Sequence, residues 1–105
     1  MAINPWVAVM LERIVKGFRP LRVVLFGSHA RGEAGPDSDI DLLVVLPHVS
    51  DKRKAAVEIR RALTDVPASK DIIVTTPEEI ARRGHIVGTV LRPALREGKV
   101  LYERV

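Results

Sequence analysis

Three short, largely apolar runs constrain the fold of this chain more than any other feature. They are Val23–Phe26, Asp39–Leu46 and Asp71–Val74. Runs of this length, rich in branched apolar residues, indicate strands rather than helices. The first run contains no polar residue, as expected of a strand that is covered on both of its faces. We therefore predict three strands at these positions.

Amphipathic helical patterns separate these strands. The first helix is predicted to begin at Asn4 and Pro5, a capping residue followed by a proline suited to the first turn, and to end at Gly17. A longer helix is predicted from Ser50 to about Thr64. Its inward-facing positions are predicted to be Ala55, Ile59, Ala62 and Leu63.

Capping and helix-breaking residues mark further boundaries. The sequence predicts a short helix or turn at His29–Glu33, a Thr76–Glu79 capping box, Gly84 between two helices, a kink or a break at Pro93, a helix end at Gly98, and an edge strand at Lys99–Tyr102. The predicted order is α-β-(short α)-β-α-β-α-α-β. The fold class is α/β (α+β), with a small mixed sheet of about four strands flanked by helices.

Length and composition limit the kind of protein further. A chain of 105 residues is expected to form one domain, residues 1–105, around one core. The lack of cysteine excludes disulfides and thiolate metal sites. The N-terminal segment is too short and too charged to span a membrane and has no signal-peptide pattern, so a cytoplasmic location without membrane contact is expected.

The net charge of +4 favours an anionic ligand or an acidic partner. Basic pairs such as Arg60-Arg61 are predicted to be solvated helix faces. Aromatic residues form 4% of the chain, too few for a surface that stacks the bases of a single strand. A nucleic acid is therefore not expected as a direct template.

Two carboxylates open the second predicted strand. Asp39 and Asp41 are two residues apart, so their side chains project to the same side of an extended strand. Like charges at this separation repel each other, and a bound divalent cation would relieve the repulsion. Asp71 opens the third strand and can join the pair if the two strands are neighbours, which would suit a two-ion site. It can equally cap its strand or pair with an arginine.

A glycine and a serine follow the first strand directly. Gly27-Ser28 lies where a strand runs into a short helix, and backbone N–H groups at such a junction can hold a phosphate. A plain turn is the alternative interpretation. The segment is not a P-loop, because the Gly-x-x-x-x-Gly-Lys pattern is absent.

The spacing of these groups resembles a known family. Gly27-Ser28, ten intervening residues and Asp39-x-Asp41, with Ala30-Arg31-Gly32 between them, are similar to the pattern of the DNA polymerase β-like nucleotidyltransferase superfamily. The chain resembles the minimal nucleotidyltransferases of bacteria and archaea in particular, the antitoxin-type members. Asp71 matches their third carboxylate, and Glu97–Glu103 resembles their usual ending. The resemblance extends from Arg22 to the end.

The resemblance implies a role for each matching residue. Gly27 and Ser28 would hold the triphosphate of a nucleoside triphosphate substrate, most simply ATP. Asp39, Asp41 and Asp71 would be catalytic and would bind Mg²⁺, with two ions expected. Arg31 would steady a phosphate, although a salt bridge to Glu33 or Asp37 is an equal alternative.

The resemblance also implies a partner. Related minimal enzymes are paired with a small helical HEPN-domain toxin, and some attach AMP to it. The implied function is therefore Mg-dependent transfer of AMP to a hydroxyl of such a protein. A non-catalytic nucleotide- or partner-binding antitoxin and a small-molecule nucleotidyltransferase are alternatives. A homodimer through the last helix and the edge strand is also expected.

Overall fold

The chain forms four strands and five helices in the part that the structure describes. The structure is a computed structural model, and it describes residues 4–35, 37–86, 88–89 and 91–104. The elements are α1 (Pro5–Phe18), β1 (Arg22–Phe26), α2 (Ser28–Arg31), β2 (Ile40–Val45), α3 (Lys52–Ala62), β3 (Lys70–Thr75), α4 (Pro77–Arg83), α5 (Leu91–Glu97) and β4 (Lys99–Glu103). This order confirms the predicted one.

The strands form one mixed sheet in the order β3-β2-β1-β4. β1 pairs antiparallel with both β2 and β4, whereas β2 pairs parallel with β3. The parallel pair requires a crossover, and α3 supplies it. The sheet confirms the predicted fold class, and β4 lies at its edge as the sequence predicts.

Helices cover both faces of this sheet, which explains why its central strands are apolar. On one face, Ile40, Leu42 and Val44 of β2 join a core that includes residues of α1 and α3. On the other face, Leu43 and Val45 pack with residues of α5. These apolar side chains of β2 are all buried. The usual polar-out alternation is therefore missing, as in strands covered on both sides.

The helix boundaries follow local capping chemistry. The Asn4 side chain accepts a hydrogen bond of 2.9 Å from the backbone N–H of Trp6, as predicted for the start of α1. α1 continues past Gly17 to Phe18, and Arg19 takes the left-handed conformation that ends it. Asp51, rather than Ser50, caps α3, because its carboxylate reaches the backbone N–H of Lys54.

Two predicted features of the helices are wrong. Ala62 is exposed, whereas Leu63 and Val66 are buried beyond the last turn of α3. Pro93 does not kink a helix, because α5 begins only at Leu91. A proline in the first turn needs no hydrogen-bond donor, so it is tolerated there. Val87 and Val90, whose spacing with Leu91, Ala94 and Leu95 is typical of a helix, lie outside the described residues.

Only one of the two hydrogen bonds of a capping box is present at the start of α4. The Thr76 hydroxyl accepts a hydrogen bond of 3.2 Å from the backbone N–H of Glu79, as predicted. The Glu79 carboxylate instead accepts hydrogen bonds from the buried Thr75 hydroxyl and from Lys52 of α3. These bonds tie the start of α4 to the end of β3 and to α3. None of the helices in the described ranges is long and apolar enough to cross a lipid bilayer.

We expect the packing of α3 on the sheet to dominate the stability of the crossover. Ile59 is 0% exposed in α3, whereas Val57 on the same helix is 45% exposed. Ile59→Ala should lower the free energy of unfolding by about 2–5 kcal/mol, because it leaves a cavity in the core. Val57→Ala should change it by less than about 0.5 kcal/mol. Urea denaturation measures both, and equal effects would contradict the described orientation of α3.

Candidate active site

The carboxylates predicted for the site lie where β2 begins. Asp41 is the second residue of β2 and pairs in register with Phe26 of β1. Its side chain is half-buried, on the face that carries Leu43 and Val45. Asp39 is exposed and precedes the strand, which begins at Ile40 rather than at Asp39 as predicted. The backbone N–H of Ile40 donates to the carbonyl oxygen of Ser69, and this bond begins the parallel pairing with β3.

The parallel pairing places Asp71 directly beside Asp41. The two residues are partners in the β2–β3 register, and neighbouring strands lie roughly 4.8 Å apart. This is the adjacency on which the predicted role of Asp71 depends. The Asp71 carboxylate also takes part in an ion pair, because Arg60 Nη2 of α3 donates a hydrogen bond of 2.8 Å to Asp71 Oδ1. The arginine pairing that the sequence left open for Asp71 is therefore present.

Negative charge accumulates at this end of the sheet. Partial burial raises the pKa of the Asp41 carboxyl, and the charges of Asp71 and Asp39 raise this pKa further. The positive charges of His29 and Arg31 oppose the rise. Asp41 therefore ionises at a cost in the folded chain, and a cation placed beside it would remove that cost.

The donor set fits Mg²⁺ only together with a substrate. Within the described ranges, no three aspartate, glutamate, histidine or cysteine side chains are arranged to hold a metal ion among themselves. Mg²⁺ commonly takes one or two carboxylates and completes its octahedron with phosphate oxygens and water. Asp41 beside the Gly27 turn and Asp39 two residues before it offer such carboxylates. These donors fit Mg²⁺ in combination with a ligand that supplies further oxygen atoms.

The turn after β1 packs against the Asp41 carboxylate. Gly27 has φ 74° and ψ −155°, a conformation that is essentially restricted to glycine. A Cβ atom at Gly27 would lie 3.2 Å from Asp41 Cγ and would overlap Asp41 Oδ2. Ser28 begins α2, where the first backbone N–H groups have no partner within the helix. The glycine thus brings these donors and the carboxylate into one small region.

Two side chains of α2 have defined partners. Arg31 is exposed, and its Nε donates a hydrogen bond of 2.5 Å to Glu33, which is one of the two salt bridges that the sequence offered. His29 is half-buried, and its Nε2 lies 3.2 Å from the carbonyl oxygen of Ser38. This contact links α2 to the loop that leads into Asp39.

Sequence reasoning missed the role of Arg60. The Arg60-Arg61 pair gives no local sign of a link to Asp71, and its pattern is typical of a solvated helix face. Arg60 and Asp71 are 11 residues apart in the chain, and they come into contact only because α3 packs back against the sheet beside β3. One sequence signal could have indicated the pair. It is an arginine near the end of a crossover helix, followed by an aspartate near the start of the next strand.

We expect Gly27 to tolerate no side chain. Gly27→Ala should lower the free energy of unfolding by about 1–3 kcal/mol, because it forces alanine into a glycine conformation and against Asp41. Gly17 in α1 is the matched control, since a Cβ atom added there would meet nothing within 4 Å outside its own helical turn. Gly17→Ala should be neutral or stabilising by up to about 1 kcal/mol. Thermal denaturation that ranks the two variants in the opposite order would contradict this geometry.

The raised pKa of Asp41 predicts a pH-dependent stability. Above its folded-state pKa, ionised Asp41 lowers the free energy of unfolding, so Asp41→Asn should raise Tm at pH 7 by about 2–4 °C in the presence of a chelator. The gain should disappear as the pH falls below about 3.9, where the carboxyl is neutral in both states. Asp37→Asn, an exposed change in the preceding loop, is the control. A gain that persists at acid pH would refute the electrostatic origin.

Solved structures share this arrangement of strands and helices. A candidate nucleotidyltransferase from Sulfolobus solfataricus is 23% identical, with a TM-score of 0.65 over 93% of this chain and 78% of that one. A toxin-antitoxin crystallised with AMP-PNP is 21% identical, with a TM-score of 0.64 over 91% of this chain and 73% of that one. A mutant of the toxin-antitoxin MntA-HpeT is 21% identical, with a TM-score of 0.67 over 98% of this chain and 75% of that one. These likenesses show a common fold.

Sequence comparison adds the family. No match was found among curated protein sequences. The family model for the nucleotidyltransferase domain matches residues 9–99, which include β1, the Gly27-Ser28 turn, all three carboxylates and α3. This match covers most of the chain. The chain therefore belongs to the nucleotidyltransferase domain family.

Proposed function

We propose that this chain transfers a nucleoside monophosphate, AMP from ATP in the first instance, to a hydroxyl group of a partner protein. The observation that carries the proposal is the meeting of two kinds of group at one end of the sheet. The Gly27 backbone packs on the Asp41 carboxylate, and Asp71 is the register partner of Asp41. A phosphate-binding turn and a carboxylate cluster are both needed for nucleotidyl transfer.

Each residue has a defined part in this proposal. Asp39 and Asp41 would hold Mg²⁺, and Asp71 would complete the set. When bound, the ion would supply charge neutralisation for the triphosphate and for the pyrophosphate that leaves. The backbone N–H groups and hydroxyl at Ser28 orient the phosphates, and Gly27 allows their close approach. Arg31 is exposed beside them and can leave Glu33 for a phosphate, because exposed ion pairs are weak.

The acceptor reaches the site from solvent. Asp71 is half-exposed, so a hydroxyl presented by another molecule can approach it without rearrangement of the core. Asp71 can accept the proton of that hydroxyl as the bond to phosphorus forms. The protein contributes positioning and electrostatic compensation to this reaction.

A partner protein is favoured as the source of the acceptor. The four strands and five helices that the structure describes build the core and the carboxylate site. This favours an acceptor that is supplied by another molecule. Two structural neighbours are toxin-antitoxin complexes, one of them crystallised with AMP-PNP. The net charge of +4 suits an acidic partner. We propose a HEPN-type toxin as that partner, with this chain as its antitoxin in the cytoplasm.

A non-catalytic antitoxin is the second candidate. The ion pair between Arg60 and Asp71 favours it, because a carboxylate neutralised by arginine is less available to a metal ion. In that case the chain would bind its partner and a nucleotide without transfer. A homodimer remains a further prediction, and the exposed Val100 on the edge strand β4 supports it.

Transfer can be tested with ATP labelled at the α-phosphate. The chain is incubated with this ATP, Mg²⁺ and a lysate of the source cells, and proteins are separated on a gel. We expect a labelled protein band, identified by its mass. The Asp39→Asn/Asp41→Asn variant should lose more than about 99% of the label, because removal of both ligands abolishes metal-assisted stabilisation of the transition state.

The Asp37→Asn variant is the matched control for that experiment. It removes a carboxylate from the same loop and should label the acceptor as the unmodified chain does. Full labelling by the double variant would refute the assignment of Asp39 and Asp41. Labelled small molecules without a labelled protein would favour a small-molecule acceptor. Nucleotide binding without any transfer would favour the non-catalytic antitoxin.

A further inference from the structure

Arg60 is positioned by the packing of α3. Its neighbour Ile59 is fully buried against the sheet, and Leu63 is buried one turn later. These anchors fix the side of the helix from which Arg60 extends, and its guanidinium reaches Asp71 at 2.8 Å. The contact bridges the crossover helix and the strand that follows it. The packing of α3, and not the local sequence, therefore brings Arg60 to the carboxylate cluster.

The cluster needs a counterion when it holds no metal. Asp39, Asp41 and Asp71 lie close enough for two of the charges to raise the pKa of the third. The charge of Arg31 lowers the pKa of Asp41, but its Nε donates a hydrogen bond to Glu33 and not to a carboxylate of the cluster. Arg60 places a full positive charge on Asp71 itself. The chain thus places its own cation on a carboxylate that a metal ion would also use in the proposed function.

We propose that Arg60 is a positioning residue that competes with a divalent cation for Asp71. It neutralises Asp71 in the metal-free chain and releases this carboxylate when an ion binds with the nucleotide. The inference rests on the proposed function, because it assumes that the three carboxylates form the metal site. It adds a regulatory consequence, since metal affinity stays low until the phosphates of the nucleotide supply further ligands.

The exposure of the ion pair makes this exchange feasible. The side chains of Arg60 and Asp71 are 52% and 46% exposed, so the guanidinium can move into water without breaking the core. Half-exposed ion pairs contribute little net stability, because solvent screens them. Mg²⁺ alone gives up its water reluctantly, and therefore displaces Arg60 poorly without a phosphate. The pair is thus strong enough to delay metal binding and weak enough to yield.

The affinity for Mn²⁺ tests this competition without an activity assay. Mn²⁺ is titrated into the nucleotide-free chain at constant ionic strength, and free Mn²⁺ is followed by electron paramagnetic resonance. Arg60→Gln should tighten Mn²⁺ binding roughly three- to tenfold, because it removes the competing charge. The matched control is Arg61→Gln, the adjacent change on the same helix. It should alter the affinity less than about twofold.

A double-mutant cycle separates competition at Asp71 from a general effect of charge. In an Asp71→Asn background, Arg60→Gln should change the Mn²⁺ affinity by less than about twofold, because the shared carboxylate is gone. Mn²⁺ binding that is unaffected by Arg60→Gln, or that requires ATP in the unmodified chain and in Arg60→Gln alike, would overturn this inference alone. Equal tightening by Arg61→Gln, or tightening that persists with Asp71→Asn, would also overturn it. If neither the unmodified chain nor any variant binds Mn²⁺, with or without ATP, the metal assignment in the proposed function fails as well.

Discussion

The parallel pairing of β2 with β3 is the constraint on which the rest of the site depends. It makes Asp41 and Asp71 register partners, although they lie far apart in the chain. The crossover helix α3 enforces this pairing through buried contacts such as Ile59. The same helix brings Arg60 to Asp71. One packing arrangement therefore positions two carboxylates and their counterion together.

The unfavourable ionisation of Asp41 and the close packing of the Gly27 turn occur at the same end of the sheet. Asp41 is partly buried among like charges, which raises its pKa. Gly27 packs closely on the Asp41 carboxylate, so movement of the turn away from Asp41 would lose this packing. Arg60 reduces the repulsion, and a metal–nucleotide complex would reduce it further. The folded chain therefore carries an electrostatic cost at Asp41 before a ligand arrives, and a cation bound beside this carboxylate would relieve it.

Local patterns in the sequence predicted most of the elements and the place of the carboxylates. Apolar runs mark β1 and β2, and the Asn4 and Thr76 caps mark the starts of α1 and α4. The disruption predicted at Pro93 is wrong, because this proline lies in the first turn of α5. The partners of Asp71 and His29 could not be deduced, since both contacts depend on how loops and helices pack in three dimensions. The sequence predicted that Asp71 would lie near Asp41 only if the second and third strands were neighbours, and it could not predict that they are.

We propose that the Gly27 turn and the carboxylates act as one metal–nucleotide site. Anomalous diffraction from crystals grown with Mn²⁺ and a non-hydrolysable ATP analogue tests it most directly. We expect Mn²⁺ density bound by Asp39 and Asp41, with the triphosphate against the backbone of Gly27 and Ser28. We also expect Arg60 to have left Asp71. Mn²⁺ and triphosphate bound elsewhere on the chain, with these carboxylates unliganded, would contradict the claim.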